Sequence, residues 1–157
     1  MTTRIVDGIT YALYYGSENR LAYVNKASNL LVTYTFDGDG NRVKAVVEGT
    51  PNDTITVYIG GYYEYEVTGS TTTTRTYYSA GGQRVGLRTI TGTDNKLYYL
   101  LTDHLGSTSV SYRSDSGQTV TQKYMPWGEL RSGGPLPTKY SYTGQYSEVG
   151  SFGLMFY

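Results

Sequence analysis

The sequence contains no cysteine. That excludes a disulfide framework, a zinc knuckle and a thiol nucleophile. Charged residues are only 17%, and Lys+Arg 13 balances Asp+Glu 13. A zero net charge argues against a basic nucleic-acid surface or an acidic tail, and so few charges disfavour a coiled coil or a charge-rich disordered segment. No long apolar run is present. The longest aliphatic stretch, Leu30-Leu31-Val32, is far too short for a membrane span. The start, Met1 to Gly8, lacks the apolar core of a signal peptide. The chain has instead 19 Tyr and 20 Gly in 157 residues. Tyr and the many Thr supply β-propensity and Gly supplies turns, at a length whose default is one domain.

Short strand-like runs are cut by explicit turn sequences. The runs are Ile9–Tyr15, Leu30–Phe36, Arg42–Glu48, Thr54–Ile59, Tyr62–Thr68, Arg75–Ser79, Gln83–Ile90, Lys96–Leu101, Thr108–Tyr112 and Gln118–Tyr124. Val43, Ala45 and Val47 alternate with Lys44, Val46 and Glu48. Ile55, Val57 and Ile59 alternate with Thr54, Thr56 and Tyr58, and Tyr63, Tyr65 and Val67 with Glu64 and Glu66. Turns are expected at Asp37–Asn41, Gly60-Gly61, Ala80–Gly82, Asp94-Asn95 and Asp115–Gly117. No helical stripe exceeds about two turns. The expectation is an all-β chain whose antiparallel hairpins form a curved open sheet, solenoid-like or shell-like.

Repetition supports this. An aromatic–turn–Asn/Gln-Arg-aliphatic pattern recurs at Tyr14–Leu21 with Asn19 and Arg20, at Tyr34–Val43 with Asp37, Gly38, Gly40, Asn41 and Arg42, and at Tyr77–Val85 with Gly82, Gln83 and Arg84. Weaker copies surround Asp103-His104-Leu105-Gly106 and Asp115-Ser116-Gly117. The arginine spacings are 22 and 42, one and two periods of about 21 residues. Each unit is one hairpin that cannot bury its own apolar face, so units stack.

These residues carry a resemblance. Tyr34–Val43 resembles the Tyr-Asp (YD) repeat of bacterial RHS proteins. Thr102–Thr108 is similar to the Asp-His-Leu-Gly-Ser motif of the RHS-repeat-associated core. Tyr124–Glu129, Tyr142–Gln145 and Phe152–Tyr157 resemble its following blocks, in order. The resemblance implies a hollow β-shell enclosing a toxic cargo, sealed by the core region, where an aspartyl autoprotease releases the toxin. It divides the chain into YD-type hairpins over residues 1–101 and a core-like segment over 102–157, within one continuous β domain. This chain stops before the family's cleavage segment, so the structural unit carries over and cargo delivery and self-cleavage do not. An extracellular or cell-surface location follows if the chain is part of an exported RHS protein.

Candidate chemistry is sparse. Asp37, Asp39, Asn41 and Glu48 mimic calcium-loop spacing, but Arg42 stands where the loop needs Gly, and a plain turn is the simpler account. Asp103, His104 and Ser107 hold the residue types of a nucleophilic triad without its elbow context. Arg20, Arg42 and Arg84 suggest either an anion ladder or, more simply, stems packed over tyrosines with heads on turn carboxylates and carbonyls. Tyr62, Tyr63, Tyr65, Tyr77, Tyr78, Tyr98 and Tyr99 suggest glycan stacking or the filling of a thin sheet. Asn52-Asp53-Thr54 matches a sequon and reads as a turn, and Thr71–Thr74 as a hairpin arm or linker. No catalytic residue, cofactor or metal is expected. The expected function is a structural β-repeat that self-associates into a homo-oligomer or filament, through strand edges and through Phe152, Leu154, Met155, Phe156 and Tyr157. The alternatives are a Tyr-lined glycan-binding module and a non-catalytic remnant of the autoprotease core.

Overall fold

The computed structural model describes residues 2–148 and 152–156. The chain is all-β, and thirteen strands follow one another in sheet order as they do in sequence. It divides into two compact units, Met1–Thr74 and Arg75–Tyr157.

The first unit holds β1 (Thr2–Val6), β2 (Ile9–Tyr15), β3 (Leu21–Lys26), β4 (Asn29–Phe36), β5 (Arg42–Val47), β6 (Thr54–Ile59) and β7 (Tyr63–Thr68). All pair antiparallel with their sequence neighbours. Register places Leu13, Val24, Val32 and Val47 in one cross-strand row, and Tyr34, Ala45 and Thr56 in the next. Leu13, Val24, Val32, Tyr34, Ala45, Thr56 and Tyr58 are buried. The covered face of β6 is thus its Thr and Tyr face, while Ile55 and Ile59 are exposed. In β7, Glu64 is buried and Tyr65 exposed. Period-2 alternation shows that two faces exist. Which one is covered depends on register with the rows of β4 and β5, and a short-range pattern does not carry that.

The second unit holds most of β8 (Thr71–Ala80), then β9 (Gln83–Thr91), β10 (Asp94–Thr102), β11 (Thr108–Arg113), β12 (Thr119–Tyr124) and β13 (Leu130–Gly133). A separate two-stranded sheet joins β14 (Tyr146–Glu148) to β15 (Leu154–Phe156). The core of the second unit is Tyr77, Leu87 and Leu100, with Tyr98 and Tyr140 packed against it.

Several expectations are corrected. Of the two readings of Thr71–Thr74, the hairpin arm holds and the linker does not, since these residues open β8. Asp94-Asn95 open β10 instead of forming a turn, because Thr91 pairs with Asp94 and the turn falls at Gly92-Thr93, with Gly92 at φ 57°. Strands β1, β3, β13, β14 and β15 lay in stretches with no clean alternation, either polar, very short or interrupted by Gly. Helical structure among the described residues is confined to a 3-10 turn at Tyr142–Gly144 and to Phe152, and no helix is long and apolar enough to cross a membrane.

Candidate functional site

One five-residue turn recurs. In Gly16–Arg20, Asp37–Asn41, Asp103–Ser107, Met125–Glu129 and Ser141–Gln145, the first residue's N–H donates to the fifth residue's carbonyl, and the fourth residue's N–H donates to the first residue's carbonyl, at 2.8–3.2 Å. The fourth residue always has positive φ: Asn19 at 56°, Gly40 at 93°, Gly106 at 80°, Gly128 at 90° and Gly144 at 71°. Only Gly, and to a lesser degree Asn, adopts that conformation without strain. In the first four copies the ladder then skips one residue. Ala22, Val43, Ser109 and Arg131 are bulged between paired neighbours. Turn plus bulge bends the strand and increases its twist. The YD-like copy and the first two core-like blocks therefore share turn and bulge, while the third core-like block, Ser141–Gln145, shares the closing hydrogen bonds and differs in a second positive φ, at Thr143 (50°).

The bulge corrects two sequence readings. Val43 leaves the alternation of Ala45 and Val47, and Arg42, paired opposite Phe36, turns onto the covered face. The arginines also do not occupy one repeat position. Arg20 is the fifth turn residue, Arg42 follows the fifth, and Arg84 follows a two-residue Gly81-Gly82 turn whose φ values of 58° and 77° suit a type I′ hairpin.

Asp37 and Asp103 act alike. Asp37 Oδ1 accepts from the N–H groups of Asp39 (3.0 Å) and Asn41 (2.8 Å). Asp103 Oδ1 accepts from those of Leu105 and Ser107, both at 2.9 Å. Hydrogen bonds from Asn41, side chain first and then backbone, hold the Asp37 carboxyl below its usual range. Glu48 lies past the far end of β5 and is exposed. The calcium-loop oxygens therefore do not converge, and among the described residues no three His, Asp or Glu cluster as metal ligands. His104 is exposed at the turn tip. Ser107 is fully buried, and its Oγ accepts from the Thr143 N–H at 3.1 Å.

Each guanidinium lies near aromatic rings. Arg20 lies 5.9 Å from the Phe36 centroid, pairs with Glu18 at 2.9 Å and donates to the Asp37 carbonyl at 3.0 Å. Arg42 stands 4.5 Å from the Tyr58 centroid and 5.4 Å from that of Tyr34. Arg84 stands 3.4 Å from the Tyr140 centroid and donates to the Gly144 carbonyl at 3.2 Å.

Within the second unit, the segment around Thr138–Tyr146 is laid against the sheet. The Thr108 N–H donates to the Ser141 carbonyl, Tyr124 OH to the Thr108 carbonyl at 2.6 Å, and Tyr142 OH to the Pro126 carbonyl. Tyr140 meets Tyr77 and Tyr146 edge-on at 4.9 and 5.2 Å. Sequence reasoning missed Tyr140 because Lys139-Tyr140 has no turn signature of its own. The available signal was the Tyr-Thr-Gly-Gln block that follows it.

Burial of Tyr124 pushes its phenol up to about 12, and the Asp103 charge adds to this against lowering bonds from Gln122 and Ser141. A raised phenol pKa means the neutral form is the one the fold favours. Stability is therefore intact below pH 10, where the unfolded phenol is also neutral, and falls as pH rises through about 12. The loss is on the order of 1 kcal/mol after discounting for solvent screening. Tyr124→Phe, which lacks the bond to Thr108, should melt below the parent at neutral pH. The gap should close as pH rises from 10 towards 12, read from paired thermal melts, and a constant gap would contradict the assignment.

The tyrosine group divides by face. Tyr77 is 4% exposed, whereas Tyr78 is 44% and Tyr99 is 52% exposed. Tyr62 and Tyr65 are also exposed, while Tyr63 and Tyr98 are half-buried. Register puts Gly86, Tyr99 and Tyr112 in one row, with the Tyr78 ring against Gly86. In the tail, Phe152 is buried and Leu154–Phe156 pairs with β14. Tyr157 and the Phe156 side chain lie outside the described residues.

No family model and no curated protein matches the sequence. Solved structures do. The chain is similar to a segment of the Photorhabdus luminescens Tc holotoxin pore containing a mutated TccC3, with TM-score 0.79 and 18% identity over 98% of this chain and 8% of that one. It is similar to a segment of the TcdB2–TccC3 complex at TM-score 0.77 and 18% identity, again over 98% and 8%. A form of that complex without its hypervariable C-terminal region gives TM-score 0.72 over 91% of this chain. The chain thus spans about 8% of the length of these toxin chains. Together with the five-residue turn and the in-order antiparallel strands, the likeness shows that the chain shares the fold of this segment of the Tc toxin chains.

Proposed function

We propose that this chain is a structural, non-enzymatic β-repeat element of an RHS-type toxin shell. The observation that carries the reading is the five-fold recurrence of one turn at YD-like and core-like blocks alike, in a chain whose fold follows a segment of Tc toxin proteins. Two of the three residues that resemble a nucleophilic triad, Asp103 and Ser107, are engaged in building the turns. Asp103 caps backbone N–H groups and Ser107 holds the Thr143 amide. If the reading is right, replacing the matching segment of a TccC3-type chain with this one should leave a closed, protease-resistant shell. An open or degraded shell would count against it.

Self-association belongs to the same proposal. Strand β13 is exposed along its length, and Ile5 on β1 is 70% exposed. Sheet continuation between copies through such edges gives a ring or filament, with the outer edge of the β14–β15 hairpin as an additional surface. Light scattering of the full chain should show growth with concentration, and Ile5→Lys should suppress it. A monomeric parent at high concentration sinks the idea.

A second reading rests on the exposed row of Tyr78, Tyr99 and Tyr112, with Tyr99 and Tyr112 stacked at 6.3 Å. Such a row suits the faces of sugar rings. A glycan array without hits, or with hits unchanged in Tyr99→Ala, would remove it.

A further inference from the structure

Guanidinium groups in this protein differ in what neutralises them. Glu18 meets Arg20 at 2.9 Å, and Asp115 meets Arg113 at 2.6 Å. Arg84 is half-buried, and no carboxylate pairs with it among the described residues. One of its N–H groups donates to the Gly144 carbonyl, and its plane lies over the Tyr140 ring, with Tyr77 further away at 5.8 Å. The reason is local. The turn before it, Gly81-Gly82, has no side chain to supply an acid, whereas the turn before Arg20 carries Glu18.

A cleft of about 260 Å³ stands where that acid would be, lined by Arg84 with Gly82, Gln83, Thr102, Thr143 and Gly144 among others. None of its lining residues is acidic. Stacking on Tyr140 fixes the guanidinium plane, and one carbonyl bond leaves most of its five donors unused. Gln83 adds to this. Its Oε1 accepts from the Thr102 hydroxyl at 3.0 Å, which leaves its amide N–H groups to donate. A fixed planar fork beside an amide donor suits a planar, two-oxygen anion. The volume admits a group of side-chain size and falls short of the usual range for drug-sized ligands.

We propose that the Arg84 cleft is a carboxylate-binding site, accepting one carboxylate between the Arg84 guanidinium and the Gln83 amide. The carboxylate can come from an acidic side chain of another polypeptide segment or from a free small acid.

The test uses the full chain and follows the Arg84 Nε–H resonance during titration with sodium acetate, with sodium chloride at matched ionic strength, and with a capped Gly-Glu-Gly peptide beside its Gln counterpart. Acetate should give a saturable shift with half-saturation at least tenfold below any chloride effect. Tighter saturation by the Glu peptide than by acetate identifies a polypeptide side chain as the source, and saturation by acetate alone identifies a small acid. Arg84→Lys should weaken binding at least fivefold. Because that change also disturbs the Tyr140 stack, Gln83→Glu serves as the second variant. It places an acid inside the cleft, so acetate binding should vanish while the thermal midpoint stays level or rises. A linear shift shared with chloride, an equal response to the Gln peptide, or undiminished acetate binding in folded Gln83→Glu would overturn the proposal.

Discussion

Tyr140→Ala is expected to lower the stability of the second unit by about 3 kcal/mol, the scale for truncating a well-packed aromatic side chain. The ring fastens three things together. It meets Tyr77 of the core and Tyr146 of β14 edge-on, and carries the Arg84 guanidinium on its face. Without it the Thr138–Tyr146 segment keeps its hydrogen bonds to Ser107 and Thr108 and loses its apolar anchor. The thermal midpoint should fall by roughly 6–12 °C at this chain length, and limited proteolysis should cut first within that segment. Tyr140→Phe retains the packing and should stay within about 1 kcal/mol of the parent. If Tyr140→Ala melts with the parent, the segment is held by something other than this ring.

The second large effect is expected at Gly40. Its φ is 93°, and a Cβ there would lie 2.5 Å from Arg20 Nη2. Gly40→Val therefore combines backbone strain with displacement of the Arg20 side chain from its place over Phe36. We expect a loss of about 2–4 kcal/mol, measured by denaturant unfolding. Gly38 in the same turn is the control. Nothing lies within 4 Å of its Cβ position and its φ is not positive, so Gly38→Ala should change stability by less than about 0.5 kcal/mol. Equal effects at the two glycines would show that the turn has been assigned wrongly.

Much of this architecture was legible in the residues. Turn punctuation and alternation located ten of the strands approximately, because Gly, Asp and Asn act within a few residues of where they stand. The faces were not legible. Ile55 is exposed and Thr56 buried because β6 inherits its covered face from Ala45 on the neighbouring strand and Tyr34 on the strand beyond it. Bulges were equally hidden. Val43 looks like a member of the Ala45–Val47 row, and only the pairing of Arg42 with Phe36 shows that it is not. The arginine alignment failed for the same reason, since it matched residue names and not turn positions. In the candidate site, Asp37 and Asp103 were visible as turn residues. That Ser107 and Thr143 meet across 36 positions was not, because nothing local encodes which turn a later segment will lie on.

The recurring turn separates what must stay fixed from what is free to vary. Its closure uses backbone groups of the first, fourth and fifth residues, and its strain falls on the fourth. Outside the Ser141–Gln145 copy, where Thr143 itself has a positive φ of 50°, the third residue does neither job. It is Glu18, Asp39, Leu105 and Trp127 in the four turns that link consecutive strands, and all four are exposed. Acid, aliphatic and indole side chains have thus been installed at one position without altering the loop. The hairpin ends act as display sites, where surface character can drift or be redesigned one tip at a time while the framework below keeps its register.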